Sequence, residues 1–91
     1  MRLRWTLPAA DDLEQIKKYL DVNYPHLAHS TVRAIQQGVK SLKISPNASR
    51  IGLKPGIREL TLHPLPYVIV YRSRNDALEI LHIYHGARDR S

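Results

Sequence analysis

Residues 56–72 read GIRELTLHPLPYVIVYR, and residues 78–85 read LEILHIYH. Within these stretches apolar and polar residues alternate with the period of two that a half-buried strand requires. Ile57 to Leu62 sets Leu60 and Leu62 against Glu59 and Thr61. Tyr67 to Arg72 sets Tyr67, Ile69 and Tyr71 against Val68, Val70 and Arg72. Leu78 to His85 is apolar on both faces, which predicts a central strand covered on both sides. Arg74-Asn75-Asp76 reads as a tight hairpin turn. His63 to Pro66 is too long for a two-residue turn, and its prolines keep it out of either ladder.

Working back toward the N-terminus, the period changes. Ala28, Val32, Ile35, Val39 and Leu42 step by three and four, which predicts an amphipathic helix from Pro25 to about Ser45-Pro46. Ala9, Leu13, Ile16 and Leu20 form a second such stripe. Pro8 suits the start of that helix, and Asp11 and Asp12 are expected in its first turn, where the helix dipole favours them. Tyr24-Pro25 breaks the helical run, because a residue before proline avoids the helical region. The two helices are expected to pack as an antiparallel hairpin, with Gly38 letting them approach closely. Arg2 to Leu7 alternates again and predicts a first strand with Leu3, Trp5 and Leu7 inward. Residues 46–56, PNASRIGLKPG, read as loop.

The order strand, helix, helix, strand, strand, strand predicts an α+β fold. The expected form is a four-stranded antiparallel sheet with an N-terminal helical hairpin on one face, as a single domain over residues 1–91. A chain of this length has room for one core, and 43% hydrophobic residues suffice to fill it. Val68, Val70 and Arg72 are then left on the face away from the helices.

Several functions are excluded or disfavoured. Without cysteine there is no disulfide framework, thiolate nucleophile or Cys-based zinc site. His82 and His85, three apart on a strand, point to opposite faces and cannot chelate one ion. His26 and His29 are neighbours on a helix but lack a completing ligand, so no metal site is expected. There is no P-loop, dinucleotide fingerprint or nucleophile elbow. No apolar run approaches the ~20 residues of a membrane span, and MRLRWTLP has no signal-peptide core. A cytoplasmic protein is expected. The net charge of +6 points to an anionic partner, either nucleic acid or an acidic protein.

An ordered set of residues resembles the RelE/ParE toxins of bacterial toxin–antitoxin modules. Trp5 ends the first strand; Ala9 or Ala10, Asp12-Leu13, Ile16 and Tyr19 follow on the first helix. Leu42 and Pro46 close the second helix, and Arg50, Gly52 and Gly56 punctuate the loop. Arg58-Glu59-Leu60, Pro66-Tyr67 with Ile69-Val70-Tyr71-Arg72, and Ile80, Ile83, His85-Gly86 and Arg88 complete the set. The resemblance implies one of two activities. RelE-like members cleave mRNA on the ribosome, and ParE-like members inhibit DNA gyrase.

In the RNA-cleaving branch the resemblance implies lysines on the second strand, an arginine on the third and a C-terminal tyrosine. Here those strand positions read Glu59, Thr61 and Val68, no such tyrosine precedes Ser91, and Arg88 alone matches. Other nucleases of that branch use a glutamate, an arginine and a histidine. Glu59, Arg72 and His85, with Arg88 and help from Tyr84, would be the counterparts. The His85-Gly86-Ala87-Arg88 ending and the Arg58-Glu59-Leu60 opening resemble the ParE-like branch more closely. That branch implies an inhibitor of gyrase or a related topoisomerase, with no cofactor and a cognate antitoxin, the ribosome with its mRNA being the alternative target. Arg58, Arg72, His85 and Arg88 are the expected target contacts, and Leu20, Tyr24, Val68 and Val70 the expected antitoxin contacts. Simpler roles stand beside these. Arg58 would pair with Glu79 or Asp12, Glu59 would be a solvated strand residue, and His85 would bond within the sheet edge.

Overall fold

A computed structural model of the chain describes residues 2–46, 50–51 and 55–86. Strand β1 (Arg2–Trp5) leads into helices α1 (Leu7–Asn23) and α2 (Pro25–Ile44). Strands β2 (Arg50–Ile51), β3 (Arg58–Thr61), β4 (Tyr67–Arg74) and β5 (Ala77–His85) follow. The spatial order is β1-β5-β4-β3-β2. This is the expected α+β arrangement of a helical hairpin on a sheet, with one correction of direction. The sheet is mixed: β1 pairs with β5 in parallel, Leu3 opposite Leu78 and Trp5 opposite Ile80, and the other pairs are antiparallel. A two-residue strand, β2, adds to the four anticipated, inside a stretch that reads as loop.

Thr6 ends the first strand earlier than the alternation suggests. Its amide and hydroxyl both donate to the Ile80 carbonyl, at 3.1 and 2.7 Å, and its hydroxyl accepts from the Ala9 amide. It is therefore the N-cap of α1, satisfying a helix donor that would otherwise lack a partner. Leu7 becomes the first helical residue and is 86% exposed, not inward. The earlier start also moves Asp11 and Asp12 out of the first turn.

The helices cover one sheet face. Ala9, Ile35, Val39 and Leu42 pack on Tyr67, Ile69, Tyr71, Leu78, Ile80 and Ile83, with Leu13, Ile16, Leu60 and Leu62 at the margin. The Tyr71 hydroxyl donates to the Pro46 carbonyl at 2.7 Å and ties the end of α2 to the sheet. Gly38 does allow a close approach, but to the sheet rather than to α1. A Cβ there would lie 2.6 Å from Leu62 Cδ2 and 3.4 Å from Ile69 Cδ1. At the hairpin turn Asn75 and Asp76 have φ of 51° and 60°, the left-handed pair that a tight two-residue connection needs.

Strand β5 explains its own puzzling pattern. Val70 faces His82, whereas Tyr71 faces Ile80, so Leu81 is an extra residue in the ladder. That bulge puts Ile80 and Ile83 on the same face despite their odd spacing. The other face of β5 carries Ala77, Glu79, His82 and Tyr84 and has no helix over it. The double covering that its apolar run suggests is therefore not what the fold builds.

Candidate functional site

Residues directly opposite each other in a ladder share a face, so the pairings define what the open face carries. Across it run Arg4, Glu79 and Arg72, then His82, Val70 and Glu59, then Tyr84, Val68 and Thr61. Arg72 was expected here, and the structure gives it a partner. Its Nε donates to Glu79 Oε1 at 2.6 Å, and Arg4 binds the other carboxylate oxygen. Glu79 is 4% exposed. The hydrogen bond from Arg72 holds its carboxyl below the ordinary range; burial opposes this, and the charges of Arg72 and Arg4 reinforce it.

Glu59 is not a solvated strand residue: it is 8% exposed and accepts a hydrogen bond from the Tyr84 hydroxyl at 3.3 Å. Arg58 registers with Tyr71, and the two carboxylates offered to it have other partners. Glu79 is clamped by Arg4 and Arg72, and Asp12 accepts from the Ile83 amide at 2.9 Å and meets His82 Nδ1 at 3.1 Å. Asp12 thereby caps β5 where β1 has ended and the strand would otherwise present a bare edge.

His85 lies on the other side of the sheet. It registers with Tyr67, one residue out of phase with Val68, Val70 and Arg72, and its ring meets Tyr67 edge-on at 5.5 Å. Glu59 and Arg72 therefore share a face that His85 does not reach. The expected target contacts divide as well. Arg58 and His85 register with Tyr71 and Tyr67, four residues apart along β4, or about 13 Å. Arg88 lies outside the described residues.

His85 instead joins a cleft at the tip of the helical hairpin, about 270 Å³ in volume, with Leu20, Tyr24, Tyr67 and Pro66 in its walls. Tyr19 and Tyr24 flank it with ring centroids 6.3 Å apart, each about half exposed. A neighbouring cleft of about 420 Å³ between α1 and β5 shares Tyr19, Tyr67 and His85. Of the expected antitoxin contacts, Leu20 and Tyr24 belong to this region, and Val68 and Val70 to the open face. Leu20 and Val68 are 6% and 5% exposed and already serve the fold; Tyr24 and Val70 remain accessible. Among the described residues no cluster of three metal-ligating side chains occurs, and no helix is long and apolar enough to cross a membrane.

Sequence reasoning passed over Arg4 and the Tyr84–Glu59 contact. Arg4 alternates outward with Arg2, but only the parallel pairing of β1 sets it beside Glu79. Tyr84 and Glu59 meet diagonally across β4, a neighbourhood that no single strand displays.

The fold and these surfaces define a small basic α+β protein with a polar open sheet face and an aromatic cleft. The family "ParE toxin of type II toxin-antitoxin system, parDE" matches residues 3–90. The "Putative toxin Y4kP" of Sinorhizobium fredii (strain NBRC 101917 / NGR234) is 38% identical over 85 residues, covering 93% of this chain and 88% of the relative. A solved chain of the "Chromosomal ParDE TA system from P. aeruginosa" superposes with a TM-score of 0.85. It is 34% identical, with 93% of this chain and 95% of that one covered. The chain belongs to the ParE toxin family of type II toxin–antitoxin systems. Membership implies a cognate antitoxin.

Proposed function

We propose that this toxin acts by binding and inhibiting DNA gyrase or a related topoisomerase, and that its antitoxin neutralises it by occupying the toxin surface. One observation carries the reading: among the described nuclease candidates, His85 lies on the opposite side of the sheet from Glu59 and Arg72. Metal-independent RNA cleavage needs a base, an acid and cations around one phosphate. Here Glu59 and Arg72 lie on the open face and His85 behind it. Arg72 is engaged by Glu79. The strand positions that carry lysines and an arginine in RelE-like nucleases hold Glu59, Thr61 and Val68, which offer a phosphate no positive charge. The contacts proposed for the target remain Arg58, Arg72, His85 and Arg88, and no cofactor is called for.

The antitoxin would reach Tyr24 and the Leu20 cleft on one side and Val70 on the other, which requires a segment that wraps the sheet. An acidic segment would be drawn to a chain of this charge. The test is supercoiling by purified gyrase with increasing toxin. Inhibition that the antitoxin reverses supports the reading, and unaltered supercoiling at large excess opposes it.

The second reading, a ribosome-dependent mRNA endonuclease located in the cytoplasm like its target, rests on the meeting of Tyr84 and Glu59 on the face that also holds Arg72. It predicts cut mRNA in translating extracts, and loss of toxicity in Tyr84→Phe and Arg72→Ala.

A further inference from the structure

The net positive charge of this chain falls in one segment that holds no acidic residue. Residues 22–58 contain six cations, Arg33, Lys40, Lys43, Arg50, Lys54 and Arg58, and no Asp or Glu. The remaining 54 residues carry eight cations and eight acids, so the whole net charge of +6 belongs to this segment. Helix α2 lies inside it. Its buried residues are Ala28, Thr31, Ile35, Val39 and Leu42. His29, Arg33, Gln36, Lys40 and Lys43 follow each other by three and four residues on a different side, and all are exposed. A shallow cleft of about 280 Å³ runs along His29, Arg33, Gln36 and Lys40.

We propose that this stripe binds the phosphate backbone of duplex DNA without reading its sequence. The composition selects that occupant. Every member is a cation or a hydrogen-bond donor, the groups that phosphate oxygens accept from. The stripe has no Phe, Tyr or Trp to form the platform on which successive unpaired bases would stack, as single-stranded nucleic acid requires; His29 is its one ring. Ile44, 86% exposed, lies at its C-terminal end four residues from Lys40, but one such residue is not the row of apolar anchors that a protein helix or strand would bury; the exposed tyrosines Tyr19 and Tyr24 lie on α1 and at its end. Arg33 to Lys43 spans about 15 Å of helix axis. One strand of a duplex running alongside presents about four phosphates over that distance, at about 3.4 Å of axis each. The proposal does not rest on the gyrase reading, since bare duplex is the ligand. If both hold, the stripe would concentrate the toxin where a topoisomerase works.

The test is fluorescence anisotropy of a short labelled random-sequence duplex with purified, antitoxin-free toxin across a salt series. Three phosphate contacts predict a slope of log K against log salt of about −3. Two charge-matched variants separate place from total charge. Arg33→Glu with Lys40→Glu is expected to weaken binding at least tenfold and flatten the slope by about two. Lys17→Glu with Lys18→Glu, on the exposed side of α1 where Lys17 pairs with Asp21, is expected to change binding less than threefold. Circular dichroism melts confirm that both variants fold. Equal losses in the two variants, no binding by the native chain at low salt, or equal binding to poly(dT) or polyglutamate would each overturn the proposal.

Discussion

The two faces of the sheet are made by the same strands and obey different rules. On the helix side, Ile69, Tyr71, Leu78 and Ile80 are fully buried and touch other side chains of the core. One residue further along each strand the character reverses. Glu79 sits between two arginines, Glu59 receives a tyrosine hydroxyl, and Val70 and Arg72 are partly open. The helix face earns its stability from apolar area, which is non-directional and tolerant of detail. The open face buries carboxylates, which are costly unless every oxygen is paired. A family can keep the first face and rewrite the second, which is why shared architecture alone does not separate a gyrase inhibitor from an RNase.

If this division is right, substitutions should fall into a graded series. Ile35→Ala, which empties a fully buried position under the sheet, is expected to lower stability by about 2–5 kcal/mol in urea unfolding. Asp12→Ala should come next. It removes the acceptor of the Ile83 amide and frees the outer edge of β5, at about 1–3 kcal/mol. A loss there larger than that of Ile35→Ala would mean that the edge cap, not the core, governs the fold. Thr6→Ala removes the cap of α1 and a bond to the Ile80 carbonyl, and about 1 kcal/mol is expected.

The Glu79 clamp should show as a slope with pH. Because the folded carboxyl titrates below its ordinary value of 4.5, its contribution is complete above that value and is lost as pH falls through the folded pKa. Urea midpoints of the native chain should therefore drop below about pH 4.5, and Glu79→Gln should remove that part of the acid dependence. A parallel pH profile in the variant would show that Arg4 and Arg72 do not stabilise the charged form. The smallest effect is expected at Val70→Thr on the open face, within about 1 kcal/mol, with any change appearing in binding rather than in the melt.

Much of the fold was legible because it is periodic. The helical stripes, the hairpin turn at Asn75-Asp76 and the inward set Tyr67, Ile69 and Tyr71 follow from spacing and turn chemistry. The direction of β1 was not, because parallel and antiparallel partners show the same alternation, and a long connection decides between them. Leu7 misled because alternation continues through it, while the strand ends two residues earlier at Trp5 and Thr6 caps the helix. The odd spacing of Ile80 and Ile83 hid a bulge that only the partner strand reveals.

The site was less legible than the fold for a related reason. Glu59, Arg72 and His85 were visible as reactive residue types, but whether they meet depends on strand phase. The register of β4 with β5 puts His85 a face away from Arg72. Arg4 and Tyr84 gained their partners only through neighbours distant in sequence.

The central claim is that this toxin stops cells by binding a topoisomerase rather than by cutting RNA. The most direct measurement is to induce the chain without antitoxin and follow nascent DNA and protein synthesis together by pulse labelling. An early fall in DNA synthesis, with DNA-damage signalling and filamentation while translation continues, is the predicted result. An immediate fall in translation with cleaved mRNA would contradict it and would place the chemistry on the face that holds Glu59, Arg72 and Tyr84.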